Sequence, residues 1–465
     1  MSTHSDTLVN KRLAAYPGLA ALTFWILMGS LLLVTTTFGG MRYFAIALAI
    51  GLAVTVWMRP HEAAGAGILY LFVCHVVFPS QARFDILAES AWEEYYWAAG
   101  LLIITAAAIA RIGIRRVLTV PLSAKIFIAV AFTSAVYGET LGATTSYVFR
   151  QSYGVLLLIV YLGIALQAGD EELLLRRIQT FGVLCALFFL LYYVSVFRQY
   201  GFHKEMGFNG AQASLLAIVL FITGWERRKF NWMLGAAVLL LVPLLLFMRS
   251  NVFTFLVALP IGLAIKLKSK KWRMLSWSAV VIMALPAIFP PMAQAAMDEI
   301  RRVPIVESFV PESVQDAGTL YERWLQLDET IRTVQAHPLL GTGLGSALEW
   351  DSPTLGFARG AYVDSGWGYL LQKMGLLGAA AFLYFLATVV RSISRESIAL
   401  SACLLSAVIV TLFSQPTFFH FTTAPYLGTF AGLLLAKKWR TSTPGAAAAP
   451  ALGLQANTPP LTGRA

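Results

Sequence analysis

Long apolar stretches recur along the chain from Tyr16 to Ala436, and short polar or charged segments separate them. A helix that crosses a hydrocarbon core of about 30 Å needs roughly 17 to 25 such residues, because each residue adds about 1.5 Å. An isolated helix also satisfies its own backbone hydrogen bonds in lipid. The pattern therefore predicts an all-α fold, a polytopic membrane protein with about 12 to 14 transmembrane helices.

The individual spans follow from the ends of the apolar stretches. The predicted spans are 16–38, 41–58, 63–79, 92–110, 120–137, 153–167, 178–197, 207–225, 231–248, 251–265, 275–291, 367–390, 397–413 and 419–436. Composition agrees with this pattern, since 58% of the 465 residues are hydrophobic and only 13% are charged. Soluble domains carry about 25% charged residues.

The net charge of +11 would suggest nucleic acid as a partner of a soluble protein. Here every second connection between spans is basic. These basic positions are Lys11, Arg12, Arg59, Arg111, Arg115, Arg116, Arg176, Arg177, Arg227, Arg228, Lys229, 266–273, Arg391, Arg395, Lys437, Lys438 and Arg440. The positive-inside rule then predicts that both termini are cytoplasmic, in a multi-pass inner-membrane protein that binds no nucleic acid.

One connection on the predicted outer side is far longer than the others. It divides the chain into transmembrane helices at 1–291, a periplasmic loop at 292–366, transmembrane helices at 367–436 and a low-complexity cytoplasmic tail at 437–465. Loops of this length in a compact protein are usually functional. The loop is therefore where we expect the chemistry to lie.

The loop contains a predicted amphipathic helix. Thr319 and Glu322 have the spacing of a capping box, which predicts that the helix begins at Thr319. Apolar residues then share one face, as in a helix that lies on the membrane surface. These residues are Leu320, Trp324, Leu327, Ile331 and Val334. The helix is expected to end at His337-Pro338, before a turn with Gly341, Gly343 and Gly345.

Cationic residues at the predicted outer helix ends are the main candidates for binding. Arg150, Arg198, Lys204 and Arg249 lie where the positive-inside rule disfavours Lys and Arg. Several converging arginines could hold a diphosphate, because each charge-assisted hydrogen bond contributes roughly 1.5 to 3 kcal/mol. The alternative is that these side chains extend to the lipid headgroups.

Three segments resemble the O-antigen ligase and Wzy-type polymerase superfamily of bacterial glycan assembly. The first is the outer turn Leu244-Leu-Leu-Phe-Met-Arg-Ser-Asn251. The second is Tyr321-Glu-Arg-Trp-Leu325 followed by Ala336-His-Pro-Leu-Leu-Gly-Thr-Gly-Leu-Gly345. The third runs from Asp364 through Gly375 to Gly378. This third segment departs from the family pattern, since Asp364 and Ser365 stand where ligases of the family carry His-Asn.

The resemblance implies a GT-C-like glycosyltransferase that uses a polyprenyl diphosphate-linked glycan, inverts the configuration and needs no metal or other cofactor. Arg249 and Arg323 would neutralise the leaving diphosphate. Asp364 would accept the proton of the acceptor hydroxyl, with His337 and Glu322 as alternatives. Arg150, Arg198, Lys204, His337 and Tyr321 are the predicted substrate-binding residues. Non-catalytic alternatives are a helix cap for Asp364, the capping box for Glu322 and a helix-dipole contact for His337.

Metal and redox chemistry have little support in the sequence. There is no His-Glu-x-x-His motif, no pair of histidines at metal-binding spacing and no Asp-x-Asp cluster. The cysteines Cys74, Cys185 and Cys403 lie in apolar spans, where thiols are usually inert. The glycines at 341–345 follow a helix, whereas a dinucleotide-binding loop follows a strand. We therefore expect neither a metal site nor a disulfide.

Several functions remain open at this point. Within the resemblance, the chain is a polymerase that joins repeat units, or a ligase that transfers a finished glycan to lipid A-core. The expected partners are a lipid-linked donor, a glycan or lipid A-core acceptor, membrane lipids and other polysaccharide-assembly proteins.

A transporter or flippase of lipid-linked sugars is the alternative function from another class of protein. It is disfavoured because only a few charged residues, Lys373 among them, lie within the spans. An inactive scaffold is a third possibility.

Overall fold

The computed structural model describes residues 41–77, 91–167, 210–245, 249–267, 315–352, 356–360, 365–393, 397–414 and 423–442, with isolated positions elsewhere. The helices are α1 (Met41–Met58), α2 (Ala63–Val77), α3 (Ala91–Ile112), α4 (Ile114–Val117), α5 (Leu122–Thr140), α6 (Thr145–Leu166), α7 (Gly210–Glu226), α8 (Phe230–Leu245), α9 (Arg249–Lys266), α10 (Gln315–Ala336), α11 (Gly366–Ile393), α12 (Ile398–Ser414) and α13 (Ala424–Ser442). A 3-10 turn, Pro60–Glu62, joins α1 to α2.

Most predicted spans coincide with one of these helices, and α1 has the bounds that the sequence predicts. Helix α6 differs, because it begins at Thr145 whereas the apolar run begins at 153. Its polar first turns continue the helix beyond the apolar run, so Arg150 lies inside α6 and the prediction of a helix end there is wrong. The predicted spans 16–38 and 275–291 lie outside the well-described residues, and 178–197 is described only in part.

Three of the described helices are long and apolar enough to cross a membrane, at Leu122–Thr140, Thr145–Leu166 and Gly366–Ser392. Shorter apolar stretches occur in α1, α3, α7, α8, α9, α12 and α13. The prediction of a predominantly helical membrane protein is thereby confirmed. The number of crossings and the GT-C-like arrangement stay predictions.

Connections that the charge pattern assigns to the same side of the membrane contact one another. On the predicted outer side, the side-chain oxygen of Gln151 in α6 accepts a hydrogen bond from Gly345 N at 2.7 Å. On the predicted inner side, Glu226 at the end of α7 binds Lys266 at 3.0 Å and Ser397 at 2.7 Å. These contacts are what a chain that crosses the membrane back and forth requires, because every second connection then lies at the same end of the helix bundle.

An aromatic cluster joins α5 and α11 in the core of the bundle. The ring of Phe127 lies 5.4 Å from that of Phe382 and 6.4 Å from that of Phe385, measured between centroids. Phe419 stacks on Tyr369 at 5.3 Å and meets Phe382 edge-on at the same distance. Such pairs contribute about 0.5 to 1.5 kcal/mol each beyond the area that they bury. The segment of α11 that contains Phe382 and Phe385 therefore packs against α5, and Phe419 links it to Tyr369.

The described part of the loop contains a β-hairpin that the all-α prediction did not include. Strands β1 (Leu348–Ser352) and β2 (Gly356–Gly360) pair antiparallel, with Leu348 opposite Gly360. Helix α10 packs against β1 and against α11. The hairpin was missed although Leu348-Glu-Trp-Asp alternates apolar and polar residues, because a strand this short gives a weak signal beside long apolar helices.

Helix α11 is broken at Gly375, where φ is 61° and ψ is −162°. A Cβ atom at this position would lie 2.4 Å from the carbonyl carbon and oxygen of Leu339. Glycine is therefore required both by the positive φ and by the close approach of the turn that follows α10.

The N–H groups that the break releases are bound by the turn after α10. Leu376 N donates to Pro338 O at 2.9 Å, and Leu377 N donates to Leu339 O at 3.2 Å. In an unbroken helix these two groups would bind the carbonyls four residues earlier. The carbonyls of Pro338 and Leu339 in the turn thus replace the two helical acceptors that Leu376 and Leu377 have lost.

The carbonyl groups on the other side of the break are also bound. Gln372 O accepts a hydrogen bond from Thr342 N at 2.7 Å, and Lys373 O accepts one from the hydroxyl of Ser134 in α5. An unsatisfied backbone group inside a bilayer costs several kcal/mol, so these contacts are what makes the break stable. Two of the three segments that carried the resemblance, 336–345 and the described residues 365–378, form one interlocked unit.

We predict that Gly375→Ala lowers the free energy of unfolding by about 3 kcal/mol, because it combines a strained positive φ with overpacking against Leu339. Thermal unfolding of the purified protein in detergent measures the effect. The matched control is Gly51→Ala in α1, since a Cβ there meets nothing within 4 Å. Equal unfolding temperatures for the two variants would contradict the assignment of the break.

Candidate functional site

The candidate site is built around the turn that follows α10, residues 337–346. Gly341, Gly343 and Gly345 all have positive φ angles, of 63°, 85° and 90°. A Cβ at Gly343 would lie 2.3 Å from Gly138 Cα at the end of α5. The turn is therefore wedged between α5, α6 and α11 in a space that excludes larger residues.

Several backbone N–H groups of this turn donate hydrogen bonds to acceptors within the protein. The recorded bonds are Gly341 N to His337 O at 3.0 Å, Thr342 N to Gln372 O at 2.7 Å, Leu344 N to the Ser134 hydroxyl at 3.2 Å and Gly345 N to the Gln151 side chain at 2.7 Å. A phosphate-binding loop would instead aim such groups at the ligand. The turn is an anchor for the elements around it.

His337 lies at the start of the turn, directly after α10. Its ring is half-buried, with Nδ1 3.4 Å from the hydroxyl of Tyr137 and an edge-on contact of 6.4 Å between the two centroids. The tyrosine therefore orients the imidazole at the C-terminal end of α5. This contact gives His337 a tertiary partner in addition to the predicted interaction with the dipole of α10.

Helix α10 begins at Gln315, so Thr319 lies inside the helix and the predicted capping box is wrong. Gln315, Asp316 and Ala317 continue the helix without a break, and the local spacing of Thr319 and Glu322 did not reveal this. The proposed capping role of Glu322 is thereby removed. Tyr321 and Arg323 belong to α10, and their side chains lie outside the well-described positions.

The face that α10 presents to the protein is polar. Gln326 is 6% exposed and Thr330 is 1% exposed, whereas Leu327 and Ile331 on the predicted apolar face are 39% and 48% exposed. An exposed apolar face on a membrane protein is suited to contact with lipid. Position 323 precedes 326 by three and 330 by seven, so helical periodicity puts position 323 on the protein-facing side of α10.

Ser365 caps the N-terminus of α11. Its hydroxyl oxygen accepts a hydrogen bond from Gly368 N at 3.2 Å and donates to Leu412 O of α12 at 3.2 Å. This is the geometry of an N-cap residue, and it fills the position that the alternative reading gave to Asp364. Asp364 itself lies outside the described residues.

The remaining predicted site residues are described to different extents. Arg249 is the first residue of α9, as expected from its short turn, and its side chain is not among those described. Arg150 is half-buried in α6, next to Gln151 and its bond to the glycine turn. Arg198 and Lys204 lie outside the described residues.

Three polar residues that position this site were missed by the sequence analysis. Ser134, Gln151 and Lys373 are each 0% exposed and each contacts the turn or the break in α11. The available signal was the presence of these polar side chains in apolar helices, where such residues are costly and are kept for a reason.

Within the described ranges, no three His, Cys, Asp or Glu side chains lie close enough to hold a metal ion. Cys74 and Cys403 are buried there as free thiols. The absence of a metal from the reaction stays a prediction.

Comparison with known proteins identifies one family. Residues 236–383 match the family model described as O-antigen ligase, whose members are enzymes that transfer glycans. The match contains α9, α10, the hairpin, the glycine turn and the break in α11, and it confirms the resemblance found in the sequence. No curated protein matches the chain.

Proposed function

We propose that this chain, a member of the O-antigen ligase and Wzy-type polymerase superfamily through residues 236–383, is a glycosyltransferase that polymerises glycan repeat units. Its donor is an undecaprenyl diphosphate-linked glycan, and its product is an exopolysaccharide or an O-antigen. The reaction takes place at the periplasmic face of the bacterial inner membrane, with both termini in the cytoplasm.

The observation that carries this proposal is the interlocking of the glycine turn with the break in α11. Hydrogen bonds from Leu376 and Leu377 to Pro338 and Leu339 hold the end of α10 against α11. Position 323 in α10 and the start of α11 are thereby parts of one framework. A fixed framework of this kind suits transfer chemistry, since donor and acceptor groups must be held in a defined geometry.

In the proposed reaction, Asp364 accepts the proton of an acceptor hydroxyl while the oxygen attacks the anomeric carbon of the donor. The bond from that carbon to the diphosphate oxygen breaks, and the leaving diphosphate keeps the electron pair. Arg323 and Arg249 stabilise the negative charge that develops on it. Attack from the face opposite the leaving group inverts the configuration, and no step requires a metal.

The other predicted residues bind substrate in this proposal. Arg150, Arg198 and Lys204 attract the diphosphate and the headgroup region of the donor. His337, at the junction between α10 and the glycine turn, and Tyr321, in the first half of α10, contact sugar hydroxyls. The exposed apolar face of α10 supports a location at the membrane surface, where the lipid part of the donor remains in the bilayer.

We predict that Arg249→Ala and Arg323→Ala each abolish polymer in cells that lack the chromosomal gene, while the protein remains in the membrane. Loss of an electrostatic donor of this kind typically lowers turnover about 100- to 1000-fold. Immunoblots of membranes and gels of the surface polysaccharide measure the two quantities. Normal polymer in both variants would refute the diphosphate role.

The matched control is Arg332→Ala on the same helix. Arg332 binds Asp328 at 2.7 Å and Glu329 at 3.4 Å on an exposed surface, where ion pairs contribute little to stability. Polymer should therefore be unchanged in this variant.

We predict that Asp364→Asn loses most of its activity without a change in unfolding temperature, because the amide cannot accept the proton. Ser365→Ala serves as the neighbouring control, and it should lower stability by about 1 kcal/mol through loss of the cap. Assays of the purified variants and thermal unfolding separate the two effects. Near-normal activity of Asp364→Asn would exclude it as the base.

A ligase is the second candidate, because the matching family model bears that description. Deletion of the gene distinguishes the two reactions. We predict the loss of all high-molecular-weight polymer for a polymerase, whereas a ligase would leave polymer that accumulates without attachment to lipid A-core. Mass spectrometry of the lipid-linked glycans provides the measurement.

A flippase is disfavoured by the way in which the break in α11 is filled. Broken helices of transporters line a substrate cavity with their free backbone groups. At Gly375 the released groups bind Pro338, Leu339, Thr342 and Ser134 of the same chain. These four backbone groups are therefore not available to a transported ligand.

A further inference from the structure

Lys373 is a basic residue buried within helix α11, in the segment before the break. Its side chain is 0% exposed, and among the described residues no carboxylate forms an ion pair with it. Its ammonium donates to the backbone carbonyl of Ser346 and lies 3.3 Å from the hydroxyl of the same residue. Both acceptors belong to the end of the glycine turn.

The location of Lys373 along α11 explains how the charge is tolerated. It lies two residues before Gly375, in the last turn of the segment of α11 before the break. A cation at the C-terminal end of a helix is stabilised by the helix dipole. Its own carbonyl accepts the Ser134 hydroxyl, so Lys373 is bound to α5 by its backbone and to the turn by its side chain.

Stability alone does not require a lysine at this place. Replacing buried charged groups by apolar residues of similar volume is often neutral or stabilising, whereas a buried polar network can select one arrangement among several. The Ser346 hydroxyl also contacts Thr342 at 2.7 Å and Gly343 O at 2.8 Å. The ammonium therefore completes a polar network that fixes the position of the whole turn.

A small displacement of the turn has a large effect at the far part of α10. Arg323 is fourteen residues from His337, about 21 Å along the helix, so a tilt of about 5° would displace it by about 2 Å. A misplacement of about 1 Å in an active site can cost about 100-fold in rate.

We propose that Lys373 is a positioning residue that locks the glycine turn to the broken helix and thereby sets the position of α10 and its Arg323 relative to α11. This inference rests on the proposed function for its effect on turnover. Its effect on the position of α10 is independent of that function.

The test compares Lys373→Met with Lys125→Met, in which an exposed lysine of α5 undergoes the same change. Spin labels at Asp328 of α10 and Tyr384 of α11, both exposed, report the distance between the two helices. The three native cysteines are replaced by Ala, and the protein is studied in lipid nanodiscs. The substrate is the lipid-linked glycan that is extracted from a strain in which the gene for this protein is deleted.

We expect Lys373→Met to broaden or shift the distance distribution and to lower kcat about 100-fold with little change in KM or unfolding temperature. Lys373→Arg, which keeps a charged donor, should restore part of the turnover, and Lys125→Met should match the wild type. If Lys373→Met does not reach the membrane, Lys373→Gln retains one N–H donor and should show a smaller effect in the same direction.

An unchanged distance distribution in the Lys373 variants overturns the inference, whatever their activity. A lower unfolding temperature with an unchanged distance also overturns it, because it would assign Lys373 a merely stabilising role. A broadened distribution with full turnover supports the positioning of α10 by Lys373 and counts instead against the role proposed for Arg323.

Discussion

The need to satisfy every backbone hydrogen bond within a membrane governs the architecture of this protein. Helix α11 violates the simplest solution, a continuous helix, because Gly375 interrupts it. The structure is stable only because the turn after α10 and Ser134 of α5 bind the four groups that the break releases. Elements far apart in the sequence are thereby fixed to one another by backbone contacts that tolerate little displacement.

The same constraint explains the glycines and the buried polar residues. A turn that reaches the backbone of α11 must come close to α5 and α6, and only glycine permits approaches such as that of Gly343 to Gly138. Gln151 and Lys373 then bind the remaining polar groups of the turn. A polar network of this kind favours a single arrangement, because a partly satisfied network in a low-dielectric environment is costly.

The positions of the helices could be predicted from the sequence, because the length of an apolar run is set by the thickness of the bilayer. The motifs 336–345 and 364–378 were also recognisable, yet each was interpreted alone. That Pro338 and Leu339 replace helical hydrogen bonds of Leu376 and Leu377 is a tertiary relation that no local pattern contains. Likewise, Ser365 caps α11 because its hydroxyl reaches both Gly368 and Leu412 of α12. The sequence alone made Asp364 an equally good candidate for this cap.

A broken helix is usually a sign of movement, but in this fold it serves to join two elements rigidly. The segment of α11 before Gly375 is held by the Ser365 cap at one end, by the stacking of Tyr369 on Phe419 and by the contacts of Gln372 and Lys373 at the other end. Because consecutive Cα atoms are about 3.8 Å apart, Asp364 is joined directly to the fixed end of this segment. Helix α10 is held at the opposite end of the same segment. In the proposed reaction, a base and a cationic group supplied by two such elements would need little reorganisation when charge develops on the leaving diphosphate, because the protein that fills the break holds both elements in place.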